Sequence, residues 1–224
     1  MTPVNALKRI HLFSSLSDQD CEQLSKLLRL QTLHKGEVLF RRGDEGATFY
    51  MILSGQIKIS VSKRDHQMTL AILGRDEFLG EMALLDGQPR SADAVATEQS
   101  CLYALNRKDF LSFLMTSEHA IHAVLSALSI RLRKTDNQLT EMYFLNVHAR
   151  LGKKLVELIE SRPSHVKNDP DHILNITQDE LGHLVGVSRE SINKALKILR
   201  KKGILSTSRN TIRIHNLDLL KQRL

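Results

Sequence analysis

Between residues 118 and 145 the chain carries neither glycine nor proline, and its apolar residues recur at helical spacing. Ile121, Leu125, Leu128, Leu132, Leu139 and Met142 advance by steps of four, three, four, seven and three, and Thr135 fills the wide step in register. That is a heptad seam holding one polar residue. At ~1.5 Å per residue the helix is roughly 42 Å long, more than a small β-domain covers. The seam therefore predicts pairing with a second copy of the chain about a two-fold axis. The plain alternative is an amphipathic helix packed on its own domain. Thr135 either sets the register or meets a polar ligand near the seam, and the charge of neighbouring Asp136 needs a partner.

The composition differs on the two sides of this helix. Gly36, Gly43, Gly46, Gly55, Gly74, Gly80 and Gly87 all precede residue 88, and the next glycine is Gly152. Turn glycines at short intervals between apolar runs predict many short strands. Residues 56–62 alternate as a half-buried strand does, and 38–40, 49–53, 68–73, 92–96 and 101–105 are further candidates. The connections carry turn chemistry in Gly43-Asp44-Glu45-Gly46, Ser54-Gly55, Gly74-Arg75-Asp76 and Asp86-Gly87-Gln88-Pro89. An antiparallel sandwich or roll is predicted here.

Charge divides the chain in the same way. Residues 1–145 hold 17 basic and 17 acidic side chains, whereas residues 146–224 hold 15 and 8, so the whole net charge of +7 lies in the last third. A basic segment joined to a neutral one predicts a polyanion-binding module on a sensor or scaffold. Tryptophan is absent and aromatic residues make up only 4%, which argues against a stacking platform for single strands. No run of 18 apolar residues predicts a membrane span, and the first 16 residues do not read as a secretory signal. Cys21 and Cys101 are too few for a disulfide framework, and a reducing cytoplasm is the expected location. There is no nucleophile–base–orienter set, metal-ligand cluster or Walker sequence, so an enzyme is not expected.

Within the basic third, residues 176–190 read as helix, tight turn, helix. Thr177 with Glu180 forms a capping box, Gly186 supplies the turn and Ser188 caps the second helix, which runs to about Lys202. Its faces separate by spacing. Ile192, Ala195, Leu196 and Leu199 point inward, while Arg189, Glu190, Asn193, Lys194 and Lys197 form one outward face. Arginine reads guanine bidentately and a carboxylate accepts from cytosine N4, so Arg189 and Glu190 are candidate base readers. Asn193 and Lys194, one turn on, read bases or hold phosphates. Residues 204–207 and 211–215 around Ser208-Arg209-Asn210 predict a two-stranded wing. The whole predicts a reader of double-stranded DNA.

A second dense region is Gly80-Glu81 followed by Pro89-Arg90-Ser91-Ala92. A glycine–glutamate pair at a strand-to-helix junction offers N–H donors and a carboxylate, and Arg90-Ser91 offers a guanidinium fork and a hydroxyl. A cyclic nucleotide needs that set, with donors for phosphate and a carboxylate for the ribose 2′-OH. An internal Glu81–Arg90 ion pair explains the same residues without a ligand.

Gly80-Glu81 through Arg90-Ser91, Thr135 on a seam helix and Val187-Ser188-Arg189-Glu190 in a helix-turn-helix together resemble the cyclic-AMP receptor protein (catabolite activator)/FNR-type family of bacterial transcription regulators. The resemblance covers nearly the whole chain in the same order. It implies an α+β fold: a cyclic-nucleotide-binding β-roll (jelly roll) over 1–116, a dimerisation helix over 117–145 and a winged helix-turn-helix over 146–224. The implied protein is a homodimer that binds cyclic AMP, uses no metal, reads a palindromic TGTGA-like operator and does not engage membranes. Cyclic GMP, cyclic di-GMP or no ligand at all are the alternative effector states.

Carried over by residue, the resemblance sets the Gly80 backbone against the ribose and Glu81 on its 2′-OH. It sets Arg90, Ser91 and the Ala92 N–H on the cyclic phosphate. Thr135 meets the purine amino group, and Asp136 comes from the partner subunit. Thr177 and Ser188 become phosphate clamps. The polar loop 161–172 corresponds to a surface that touches RNA polymerase in the family, and a flexible connector is its other reading.

Three positions depart from the family pattern. Asp136 replaces Ser or another neutral polar residue, and suits an adenine amino group or a different base. Lys194 replaces a third base-reading arginine, which loosens discrimination because an ammonium is a point charge. Ala83 replaces a second glycine and tightens the pocket wall. The iron–sulfur branch's N-terminal cysteine group is missing, and no histidine takes an obvious haem-ligand role; His119 and His122 read as exposed helix residues.

Overall fold

A computed structural model describes residues 3–10, 13–14, 16–63, 66–160 and 172–222. The chain divides into two compact units, residues 1–134 and 135–224.

In the first unit, short helices α1 (Pro3–Arg9) and α2 (Asp18–Ser25) precede eight strands: β1 (Arg29–Leu33), β2 (Val38–Phe40), β3 (Thr48–Ser54), β4 (Ile57–Lys63), β5 (His66–Leu73), β6 (Phe78–Leu79), β7 (Asp93–Ala96) and β8 (Ser100–Asn106). Helix α3 (Glu81–Asp86) interrupts the strands between β6 and β7, and α4 (Arg107–Thr116) follows β8. All pairings are antiparallel, in two four-stranded sheets ordered β1-β8-β3-β6 and β2-β7-β4-β5. Their inner faces bury Leu33, Ile52, Ile57, Leu73, Leu79, Ala94, Ala96 and Leu102. This is the expected roll.

Strand β1 was not expected, whereas β6 is the strand that the strand-to-helix junction at Gly80-Glu81 implies. In β1 only Leu33 is buried, so the strand carries almost no alternation to read. β6 is two residues long and exists by pairing Phe78 and Leu79 with Met51 and Tyr50 of β3. Neither leaves a periodic trace, because neighbouring strands define them.

A separate apolar cluster ties α1, α2 and α4 to the roll. Phe49 stacks on Phe110 at 5.1 Å between centroids and meets Phe13 edge-on at 6.0 Å. The long helix α5 (Glu118–Phe144) begins in this unit and ends in the second. Its first half buries Ala120, Ala123, Val124 and Ala127. Small residues therefore face the domain while the bulky ones face out: Leu125 is 56% exposed and Leu132 62%.

The second unit holds the end of α5, α6 (Val147–Glu160), β9 (Ile173–Asn175), α7 (Gln178–Val185), α8 (Arg189–Lys201), β10 (Leu205–Ser208), β11 (Thr211–Ile214) and α9 (Leu217–Lys221). One core joins Leu151, Leu155 and Ile159 of α6, Leu181 and Val185 of α7, and Ile192, Ala195, Leu196 and Leu199 of α8. The wing differs from expectation. It is a three-stranded antiparallel sheet, β10-β11-β9, with Ile212 opposite Leu174 of β9. β9 is only three residues and carries one buried side chain, so nothing in its own sequence marks it. Among the described residues no single helix is long and apolar enough to cross a membrane.

Candidate effector and nucleic-acid sites

Chain geometry brings Gly80, Glu81, Arg90 and Ser91 together at the junction of β6 and α3. Gly80 caps α3 with φ +87°, a left-handed conformation that favours glycine. A Cβ there would lie 2.5 Å from Arg90 Nη1 and 2.9 Å from the Thr48 carbonyl oxygen, so close packing also selects glycine. Arg90 is only 5% exposed. Its Nη1 donates to the Gly80 carbonyl at 3.0 Å and its Nη2 to the Thr48 carbonyl at 2.7 Å. The guanidinium lies 4.2 Å from the Phe40 ring centroid and 5.8 Å from that of Tyr50. Burial lowers the Arg90 pKa, opposed by Tyr50, Glu81 and Asp44. Arg90 Nε is buried without a hydrogen-bond partner among the described residues.

Glu81 is 3% exposed and is the first residue of α3. It does not pair with Arg90. Its Oε1 accepts from Nη1 of Arg131 on α5, whose Nη2 also reaches the Phe78 carbonyl at 3.1 Å. The Arg131 guanidinium sits 5.0 Å from the Phe78 ring. Arg131 was missed in the sequence. The available signal was its place one turn before Thr135 on the same helix face. Ser91 is exposed, with Oγ 3.7 Å from Met82 Sδ, and Ala92 is buried immediately before β7. The Cβ of Ala83 faces Gly46, where an added Cβ would come within 2.3 Å.

Thr135 and Asp136 are exposed on α5 and belong to the second unit. Of the seam residues, Ile121, Leu125, Leu132, Leu139 and Met142 are exposed, and Leu128 is half-buried against the first unit's core.

In the second unit, Thr177 caps α7. Its Oγ1 accepts from Glu180 N at 3.1 Å and donates to Glu180 Oε2 at 2.7 Å, while Thr177 N donates to the same carboxylate oxygen at 2.8 Å. Ser188 caps α8, accepting from Ser191 N at 3.3 Å and sharing a hydrogen bond with Ser191 Oγ at 3.0 Å. Both hydroxyls expected on phosphate are thus engaged in caps, and Thr177 must rotate its O–H away from Glu180 to donate elsewhere. Gly186 ends α7 at φ +73°, and its N–H returns to Gly182 at 2.9 Å. The turn packs so closely that a Cβ on Gly182 would meet the Val187 carbonyl at 2.8 Å. Arg189, Glu190, Asn193, Lys194 and Lys197 all lie exposed on α8, opposite buried Ile192, Ala195, Leu196 and Leu199. None of the five side chains makes a hydrogen bond or ion pair among the described residues.

Residues 30–117 match the model of the cyclic nucleotide-binding domain, and residues 149–223 match that of the Crp-like helix-turn-helix domain. The chain belongs to the CRP/FNR family. Members of this family are transcription regulators, not enzymes, and the chain is a cyclic nucleotide-binding transcription regulator of that kind. It is 29% identical over 217 residues to the cyclic AMP receptor protein of Thermus thermophilus, covering 96% of this chain and 97% of that one. A CRP-like cAMP-activated global transcriptional regulator of Mycobacterium tuberculosis is 27% identical, with 97% of each chain covered. The solved structure of the c-di-GMP responsive global regulator CLP of Xanthomonas campestris superposes with a TM-score of 0.79 at 25% identity, covering 89% of this chain and all of that one.

Within this CRP/FNR frame, no group of three or more potential metal-binding side chains occurs among the described residues. The loop corresponding to the family's RNA polymerase surface falls at residues 161–171, outside the described residues, apart from His172.

Proposed function

We propose that the chain is a homodimeric, cytoplasmic transcription regulator whose affinity for a palindromic, TGTGA-like operator is set by cyclic AMP. The observation that carries the effector reading is Arg90: a buried guanidinium behind Gly80 whose Nε has no partner among the described residues. Burying a cation with an unused donor is costly, and an anion that accepts from it offsets the cost. We assign the cyclic phosphate to Arg90, Ser91 and the Ala92 N–H, the ribose to Gly80 and Glu81, and the base to Thr135 and Asp136. Likeness to cyclic-AMP-named relatives over almost the full length supports that nucleotide.

The exposed leucine stripe of α5 supports the homodimer, because five large apolar side chains in heptad register are left in water by a single chain. Two recognition helices then read half-sites about one DNA turn, roughly 34 Å, apart. We assign Arg189 and Glu190 to base edges, Asn193, Lys194 and Lys197 to bases or phosphates, and the first turns of α7 and α8, with Thr177 and Ser188, to phosphates. Effector control requires differential affinity for two states, so operator DNA tightens nucleotide binding by the same factor by which nucleotide tightens DNA binding. Contact with RNA polymerase is assigned to the loop at 161–172.

Likeness to the cyclic-di-GMP-responsive Xanthomonas regulator supports a second effector reading, and Asp136 suits a guanine's donors as well as an adenine amino group. Calorimetric titration with cyclic AMP, cyclic GMP and cyclic di-GMP, with and without a palindromic duplex, separates them. Saturable cyclic AMP binding that tightens with DNA is expected; binding of the dinucleotide alone would replace the proposed effector.

A further inference from the structure

The Arg90 cation is buried without a carboxylate bonded to it among the described residues. Two carboxylates act on it from a distance, and both are engaged elsewhere: Glu81 pairs with Arg131, and Asp44 Oδ2 accepts from Arg41 N at 2.7 Å. The guanidinium instead meets the Gly80 and Thr48 carbonyl oxygens and two aromatic rings. These rings come from opposite sheets of the roll. Phe40 ends β2 opposite Ala94 of β7, and Tyr50 lies in β3 between Leu79 of β6 and Ala104 of β8. Their centroids are 6.1 Å apart, with planes 28° from parallel. At 4.2 Å from the Phe40 centroid the guanidinium is well inside the ~6 Å reach of a cation–π contact, and at 5.8 Å from that of Tyr50 it is near the limit.

The main chain of Arg90 is tied to the turn that follows Phe40. Gly43 N donates to the Arg90 carbonyl at 2.9 Å, and Arg90 N donates to the Asp44 carbonyl at 2.8 Å. Residues 40–44 thus hold both ends of Arg90, the backbone by a turn and the guanidinium by a ring. A carboxylate and a ring offset the burial of a cation differently. A carboxylate neutralises the charge and competes with an anionic ligand, whereas the negative face of a ring stabilises the cation and leaves its net charge in place. Without the ring, the guanidinium of the free chain gains by turning out to water. Ligand then binds only the fraction of molecules with Arg90 in place, and the apparent Kd rises by the inverse of that fraction.

We infer that Phe40 is a positioning residue of the effector site: its ring face, with Tyr50 behind it, keeps the Arg90 guanidinium inside the roll as an unneutralised cation before the anionic ligand arrives. This rests on the assignment of Arg90 to the cyclic phosphate proposed above. It adds a residue, outside the set assigned to the nucleotide, that acts on affinity through Arg90.

The test uses the full-length chain and calorimetric titration with cyclic AMP. Replacing Phe40 by 3,5-difluoro- and then 3,4,5-trifluorophenylalanine withdraws negative charge from the ring face at nearly constant size and shape. The Kd should rise with each step, to roughly tenfold for the trifluoro ring. Phe40→Met, of similar volume but without a ring, should weaken binding by a comparable factor, and Phe40→Tyr, which keeps a ring face, by much less. A residue that only fills space would follow volume and ignore fluorine. A Kd that stays flat along the fluorinated series, or Phe40→Met binding as tightly as the parent, would therefore overturn the role of Phe40 and leave the effector reading intact. Absence of cyclic AMP binding by the unaltered chain would instead remove that reading, and this inference with it.

Discussion

Arg131 closes over the carboxylate of Glu81, joining the middle of the long helix to the first residue of α3 by an ion pair whose acidic member is almost completely buried. The pair links the wall of the proposed nucleotide site to the helix that carries the exposed leucine stripe. Loss of Arg131 strands a buried charge, whereas loss of both partners removes the problem. Arg131→Ala should therefore destabilise the fold by about 1–3 kcal/mol, less than a fully buried pair because Arg131 is partly solvated. Adding Glu81→Gln should recover part of that loss. Urea unfolding midpoints of the two variants check it; equal stability of Arg131→Ala and the unaltered chain would refute it.

Arg90→Met should uncouple ligand response from folding. The apo protein escapes the desolvation of a buried guanidinium but leaves the Gly80 and Thr48 carbonyls without their donors, so its stability should change by no more than about 1–2 kcal/mol. Cyclic AMP at a hundredfold excess over Kd stabilises a binding-competent chain by about 2.7 kcal/mol. Thermal melts with and without nucleotide should show that gain in the parent and none in Arg90→Met.

Gly46 and Ala83 form a steric pair. Gly46→Ala places a methyl 2.3 Å from Ala83 Cβ and within 3.1–3.2 Å of Arg90 Nε and Cδ. Overpacking of this kind costs about 1–3 kcal/mol and should weaken nucleotide binding by displacing Arg90. Ala83→Gly in the same chain should restore much of both. A double-mutant cycle without coupling would contradict the contact.

Arg189→Ala should cost about 1–3 kcal/mol on a specific duplex and relax discrimination at one base-pair position. Lys197→Ala should weaken all duplexes alike and reduce the salt slope by about one. Binding to a panel of singly substituted operators at several salt concentrations distinguishes base reading from phosphate contact.

Leu132→Lys places a charge in the α5 seam at a side chain that is 62% exposed in one chain. Sedimentation velocity should show a dimer for the parent chain and a monomer for the variant, with the helix content preserved. A variant that still dimerises would move the interface off this stripe.

Much of the architecture is legible in the sequence because it depends on local spacing. The heptad steps outline α5 almost to the residue. The capping box at Thr177 and Glu180, the left-handed turn at Gly186 and the cap at Ser188 mark the helix-turn-helix through interactions spanning three or four residues. β1 and β9 are not legible, because each is short and forms on a partner remote in sequence. The grouping of Gly80, Glu81 and Arg90 comes from a recognised pattern, but the partners of these residues do not.

The order of apolar, glycine and charged residues determines by itself that a strand-rich neutral half, a long helix and a basic helix-turn-helix occur in this succession. These features reflect backbone propensity, periodicity and charge, which act over a few residues. Tertiary structure decides that Glu81 meets Arg131 and not Arg90, that Arg90 turns into the roll with an unused Nε, and that Arg200 moors the wing. Those choices compare the desolvation of each charge with the hydrogen bonds available after packing, and the partners lie as far as 50 residues apart in the chain.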